Sequence, residues 1–255
     1  MKYLIGNSGL VGKNLLKHQQ FDATFNSSNI HTFDDVFVEG SDVVLTCLPA
    51  TKWLINQNKL NDLNNIHNII NTLAKHKFGN ITLVSTIDVY QDSPLGVDET
   101  FDPTIKSLHY GTHRLLFEKM VADLIHHQSL HVVRLPALFG DFLKKNVLFD
   151  LLNDNNVANI NTNTYYQWYD LSRLHDDITH IINNHASGIF NLFTQPVCTA
   201  DIITNLFPSV VASTGNCVVY DWKTQHHASG YIQSAAQVMQ SIIKFVHETR
   251  NKQSS

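Results

Sequence analysis

"YLIGNSGLVGKNLL", Tyr3 to Leu16, places Gly6, Gly9 and Gly12 between two apolar segments. Glycine loses more backbone freedom on folding than any other residue, so this density marks either a flexible linker or a backbone that must approach something closely. A linker is polar on both sides, and this stretch is not. Tyr3, Leu4 and Ile5 read as a short buried strand, and Leu10, Val11, Leu15 and Leu16 have the spacing of one apolar helix face. Strand, glycine turn and helix in that order begin a dinucleotide-binding unit, in which backbone N–H groups at the helix N-terminus face a pyrophosphate. The candidate contacts are Gly6, Asn7, Ser8, Gly9, Leu10, Val11 and Gly12. The spacing is G-x-x-G-x-x-G rather than the commoner G-x-G-x-x-G, so a turn that serves packing alone stays open at this point.

With 255 residues, 43% hydrophobic and 16% charged, the chain can bury a large core as one α/β domain or two small ones. Disorder is expected only in the polar tail from Thr249 to Ser255. A formal net charge of −4 without any Lys/Arg block argues against nucleic acid or an anionic membrane as the main partner. No apolar run approaches the roughly 18 residues of a membrane span. Met1 and Lys2 lead directly into the first strand, which leaves no room for a signal peptide. Cys47, Cys198 and Cys217 are odd in number and lack metal-like spacing, so a reducing cytoplasm is the expected location. The pairs His126-His127 and His226-His227 diverge as neighbours on an element, and no metal site is expected.

The first half alternates strand and helix. Strands are expected at Asp22–Phe25, at Asp42–Leu48 before Pro49, and at Asn80–Thr86. Leu63, Ile66, Ile69, Ile70 and Leu73 predict a helix over Leu60–His76, another runs from about Leu108 to His127, and "LHVVRLPALFG" returns to strand. This alternation predicts an α/β, Rossmann-type, doubly wound parallel sheet, with ligands at the C-terminal ends of its strands. After the Asn80–Thr86 strand come Thr86, Asp88 and Tyr90, and the next helix opens with "YGTHR". Tyr110 and Arg114 stand four apart, so a guanidinium can lie beside a phenol. A phenol titrates near 10 in isolation, and a fixed cation favours its phenolate. Taken alone, Y-x-x-x-R reads as an aromatic stacked on a surface arginine.

In order, the glycine turn, "STIDVY", "YGTHR" and "VVRLPALFG" resemble the extended short-chain dehydrogenase/reductases, the NAD(P)-dependent nucleotide-sugar epimerase, dehydratase and reductase family. Weaker echoes continue in "DETFDP", "LHDDITHII" and "GIFNL". The resemblance implies a Rossmann domain over residues 1–141 and, over 142–255, mainly a small C-terminal substrate lobe with segments returning to the sheet. It makes Thr86 the catalytic hydroxyl, Tyr110 the acid/base and Arg114 the occupant of the family's lysine position. Arginine keeps the charge but directs its donors in a planar fork, which departs from the lysine's ribose contact. Asp88 lies two residues before Tyr90, where the family's dehydratases place a proton-abstracting glutamate; capping the following turn is the alternative. Leu48 and Pro49, with Tyr110 and Arg114, complete the cofactor contacts.

At the end of the second strand, "FNSSNI" offers Asn26, Ser27 and Ser28 and no carboxylate to repel a 2′-phosphate, which favours NADP over NAD. Lys144, Lys145 and Asn146 are either the candidate grip on a nucleotide-sugar diphosphate or a solvated basic pair, with Thr86 and Asp88 nearer the reacting carbon. The aromatics of "TYYQWYDL" either stack on a ligand or fill a core, and "CLPATKWLINQN" replaces the small-residue loop usual in the family. The implied function is cytoplasmic hydride transfer at a sugar carbon, by a reductase or epimerase that forms a homodimer. The alternatives are a catalytically weak dinucleotide sensor and a nucleotide-sugar dehydratase.

Overall fold

The computed structural model describes residues 1–50, 52–104 and 110–253, with Trp53 and Leu54 described by their backbone alone. The chain opens with β1 (Lys2–Ile5), α1 (Leu10–His18), β2 (Ala23–Phe25), α2 (Phe33–Val36), β3 (Asp42–Leu45), α3 (Lys52–Gln57) and α4 (Lys59–Leu73). There follow β4 (Lys77–Thr86), α5 (Tyr110–Leu124), β5 (His126–Leu135), β6 (Ala137–Phe139), α6 (Val147–Leu152), β7 (Thr164–Tyr166) and β8 (Trp168–Asp170). It closes with α7 (Leu174–Asn184), β9 (Gly188–Asn191), β10 (Val197–Cys198), α8 (Thr199–Leu206), β11 (Val218–Val219) and α9 (Ala235–Gln253). Two compact units result: Met1–Pro94 with Phe101–Leu135 and Arg173–Asn191, and Leu95–Thr100 with Pro136–Ser172 and Leu192–Ser255.

The first unit is built on a six-stranded sheet in the order β2-β1-β3-β4-β5-β9, parallel at every pairing. Such a sheet is buried on both faces, which explains why its strands are continuous apolar runs. Tyr3, Ile5, Val43, Leu45, Ile81 and Leu83 form one core with Ile66, Ile70 and Leu73 of α4 and Phe117 and Val121 of α5. The strand order turns back at β1, between β2 and β3, and a ligand crevice belongs outside the C-terminal ends there. The fold class expected from the sequence is the one observed.

Several boundaries differ from the sequence reading. The strand expected over Asp42–Leu48 stops at Leu45, because the Thr46 hydroxyl bonds back to the carbonyls of Ile5 and Gly6 and the chain leaves the ladder. The second strand starts at Ala23 rather than Asp22, whose carboxylate instead accepts from the Lys2 N–H. The helix predicted over Leu60–His76 spans Lys59–Leu73, capped by the Asn58 side chain. Of the helix predicted from Leu108, residues before Tyr110 lie outside the described ones, and its end falls at Leu124 instead of His127.

In the second unit a three-stranded sheet, β10-β7-β11, and the pair β6-β8 accompany α6, α8 and α9. Phe139, Leu148, Trp168, Ile202, Ile242 and Val246 belong to its core. "TYYQWYDL" supplies β7 and β8: Trp168 and Tyr169 are fully buried, and Tyr166 stacks on Tyr220 with ring centroids 5.3 Å apart. These rings are framework.

Candidate active site

The glycine turn sits at the C-terminal end of β1, and its three glycines have different reasons. Gly6 has φ +106°, and a Cβ there would lie 2.5 Å from the Thr46 backbone, so it is fixed by conformation and by contact. A Cβ on Gly12 would come 2.2 Å from the Gly6 carbonyl oxygen, so helix and turn touch backbone to backbone. Gly9 is different. Its backbone is ordinary, φ −75° and ψ 169°, and its Cβ would meet only the Gly6 oxygen at 3.6 Å. The chain itself does not demand glycine there, which is what a backbone kept clear for a ligand looks like. Gly9 also caps α1 without a side-chain hydrogen bond, and the first turn holds no acid, so its N–H groups suit an anion.

The turn after β2 is internally tied. Asn7 Nδ2 donates to Thr24 Oγ1 at 2.8 Å, and Asn7 Oδ1 accepts from Asn26 Nδ2 at 3.0 Å. Asn26 Oδ1 accepts from both the N–H and the hydroxyl of Ser28, so the Asn26 amide shapes the turn, while Ser27 and Ser28 are exposed on it.

Tyr110, Thr86 and Asp88 meet at the C-terminal end of β4 through a glycine the sequence reading passed over. A Cβ on Gly111 would overlap the Asp88 carbonyl oxygen, so the start of α5 presses on the turn Ile87–Tyr90 and brings Tyr110 to it. Thr86 Oγ1 accepts from the Asp88 N–H at 3.2 Å and donates to Asp88 Oδ2 at 2.9 Å. Thr86, not Asp88, therefore caps this turn. Lys52 of α3 donates to Asp88 Oδ1 at 2.7 Å with its ammonium 5.8 Å from the Tyr110 ring centroid, and Asn56 of α3 accepts the Tyr110 N–H at 2.9 Å.

Arg114 is buried with its guanidinium carbon 4.6 Å from the Tyr110 ring centroid. Its Nη1 and Nη2 donate to the two oxygens of Asp62 at 3.1 and 3.0 Å, and Nη2 also donates to the Pro49 carbonyl at 2.8 Å. His113 Nδ1 bonds the same carboxylate at 2.8 Å. Among the described residues Arg114 Nε and His113 Nε2 are buried without a hydrogen-bond partner. Asp62 was missed in the sequence, yet it had a signal: it stands on the buried stripe Asp62, Ile66, Ile70, Leu73 of α4, a carboxylate where apolar residues belong.

The expectation that Arg114 favours the phenolate is corrected in its net result. Burial pushes the Tyr110 phenol above its ordinary value; Arg114 pulls it down, Asp88 pushes it up and Lys52 pulls it down, and burial prevails. Burial likewise pushes the Cys47 thiol beside Arg114 up to about 12, which removes it as a nucleophile at neutral pH.

Lys144 and Lys145 are exposed in the second unit. Asn146, expected to grip substrate, is instead a helix cap: its Oδ1 accepts the Phe149 N–H at 3.0 Å and its Nδ2 donates to the Leu138 carbonyl at 2.8 Å. Leu48 packs at the edge of the first unit's core. Among the described residues there is no group of three or more metal-ligating side chains, and no helix is long and apolar enough to cross a membrane.

No family model matches the sequence, and no curated protein matches it. Solved structures do match by shape. MoeE5 in complex with UDP-glucuronic acid and NAD superposes with a TM-score of 0.75 at 12% identity, over 98% of this chain and 99% of that one. The dTDP-4-dehydrorhamnose reductase of Bacillus anthracis in complex with NADP gives 0.70 at 16% identity, over 97% and 98%. A UDP-galactose 4-epimerase gives 0.73 at 13% identity, over 99% of both. The chain has the Rossmann-like α/β fold of these solved structures.

Proposed function

We propose that the chain is an NAD(P)-dependent oxidoreductase of the extended short-chain type, acting at a sugar carbon of a nucleotide sugar as a reductase or epimerase. The observation that carries this reading is Gly9, clear of its own chain at an uncapped helix N-terminus, on the same edge of the sheet as Thr86 and Tyr110. The neighbours by shape include complexes with NAD, with NADP and with UDP-glucuronic acid, which fits the same chemistry.

In this reading the N–H groups of Leu10, Val11 and Gly12 hold the pyrophosphate, with Leu48 and Pro49 bordering it. Ser27, exposed on a turn without a carboxylate and held beside Ser28 by the Asn26 amide, donates to a 2′-phosphate, so NADP(H) is preferred. A bound nicotinamide supplies or accepts the hydride. Tyr110 gives or takes the hydroxyl proton, and burial keeps its phenol protonated until a substrate oxygen takes the proton. The Thr86 proton points at Asp88 and one lone pair accepts from the Asp88 N–H, so Thr86 offers its remaining lone pair to a substrate hydroxyl. Lys144 and Lys145 are the proposed contacts of the diphosphate.

The pairing of Arg114 with Asp62, and of Thr86 with Asp88, also favours a second reading: a dinucleotide sensor of weak activity. One experiment separates the two. Thermal shift with NAD(H), NADP(H) and nucleotide sugars, followed by absorbance of the reduced nicotinamide, is expected to show binding and turnover. Tyr110→Phe is then expected to keep dinucleotide affinity within a few-fold and to lose roughly a hundredfold or more in turnover. Tight binding without turnover would select the sensor, and no dinucleotide binding would end both readings.

A further inference from the structure

Beneath the reacting groups lies a buried ion pair that touches each segment carrying one of them. Glu118 stands on the same face of α5 as Tyr110 and Arg114. It accepts from Arg134 of β5 through Nε at 3.1 Å and Nη2 at 2.6 Å, and Ser85, the residue before Thr86, donates its hydroxyl to the same carboxylate. Arg134 Nη1 donates to the Tyr90 hydroxyl at 2.6 Å, and Tyr90 closes the turn that holds Asp88. Asn191 of β9 donates to that hydroxyl from another strand at 3.1 Å. Glu118 is 5% exposed and Arg134 1%.

An ion pair this deep brings little net stability over an apolar pair of similar volume, because desolvation offsets the attraction. Its geometry offers another reason. One carboxylate and one guanidinium connect the helix of Tyr110, the strand end of Thr86 and the turn of Asp88. We propose that Glu118 and Arg134 are positioning residues that set the register of Tyr110 against Thr86 and Asp88. The catalytic consequence rests on the hydride-transfer reading above; the register itself does not.

Removing one partner leaves a buried charge unpaired and is strongly destabilising, so the informative variant is the double Glu118→Leu/Arg134→Met, which removes both charges. Three quantities are read: the thermal midpoint, the ionisation of Tyr110 in ligand-free protein by phenolate absorbance against a Tyr110→Phe control in the same background, and turnover at saturating dinucleotide. Among the described residues the charged or titratable groups around Tyr110 are Arg114 and His113 of α5, Lys52 of α3, Asp62 of α4 and Asp88 of the turn, and all stay in place in this variant. The double variant is expected to melt within a few degrees of the parent. Its Tyr110 should titrate at lower pH, because water reaches a phenol no longer held in register. Turnover should fall on the order of a hundredfold, the scale of a small misplacement of reacting groups, with dinucleotide affinity within a few-fold. Arg134→Lys, which keeps the charge but cannot reach Glu118 twice and Tyr90 at once, should move both readouts in the same direction by less. A folded double variant with the parent's Tyr110 titration and turnover would overturn the proposal, and so would a double variant that does not fold. Absence of dinucleotide binding in the parent would fell the functional reading alone, since the Tyr110 titration still decides the register.

Discussion

The glycine turn after β1 and the cluster around Tyr110 are built in opposite ways. At the turn the chain withdraws: Gly9 carries no side chain although nothing of its own would obstruct one, and α1 begins without a capping side chain. At Tyr110 the chain crowds in, with Arg114 held by Asp62, Asp88 held by Lys52 and Thr86, and the phenol buried between them. In the proposed function the first is a binding end, which needs bare backbone, and the second a reacting end, which needs charges held at fixed distances. The difference shows which parts of such a site are local and which depend on the whole fold.

Opening the crowded end at its deepest charge should have the largest effect. Asp62→Asn leaves Arg114 buried without its counter-charge, and chemical denaturation is expected to show a loss of about 3–5 kcal/mol. A loss below 1 kcal/mol would mean that water already reaches this pair, and the contrast with the open turn would weaken. Lys52 should matter less to stability, since 54% of its side chain is exposed and Thr86 still donates to the buried Asp88 carboxylate: Lys52→Met is expected to cost about 1–3 kcal/mol. It removes a cation that pulls the Tyr110 phenol down, so the phenolate absorbance of Tyr110 should appear at higher pH than in the parent. An unchanged titration would place Lys52 outside the electrostatics of the site.

The same contrast explains what the sequence disclosed. α1, observed at Leu10–His18, is legible from Leu10, Val11, Leu15 and Leu16 because strand, glycines and apolar face are contiguous. Thr86, Asp88, Tyr110 and Arg114 stood out for a similar reason: each pair lies within one turn of chain. Asp62, Lys52, Asn56 and Arg134 reach the cluster only when strands and helices far apart in sequence are brought together, and no local spacing announces that, whereas Glu118 follows Tyr110 and Arg114 on one face of α5. Asp62 was the exception that could have been read, as a carboxylate in line with Ile66, Ile70 and Leu73. Asn146 misled for the opposite reason. An amide beside two lysines resembles an anion grip, but at the start of α6 its nearest unsatisfied donor is the Phe149 N–H.

A turn at Gly9 kept clear for a dinucleotide makes affinity for NADP(H) and NAD(H) differ between the parent and Gly9→Val. A branched side chain at Gly9 occupies the space a pyrophosphate needs while meeting nothing closer than the Gly6 oxygen at 3.6 Å from its Cβ, so the variant should fold. Isothermal titration is expected to show dinucleotide binding by the parent and at least a hundredfold weaker binding by a Gly9→Val protein whose melting temperature stays within a few degrees. Equal affinity in the two proteins, or no binding by the parent, would contradict a turn kept clear for a dinucleotide.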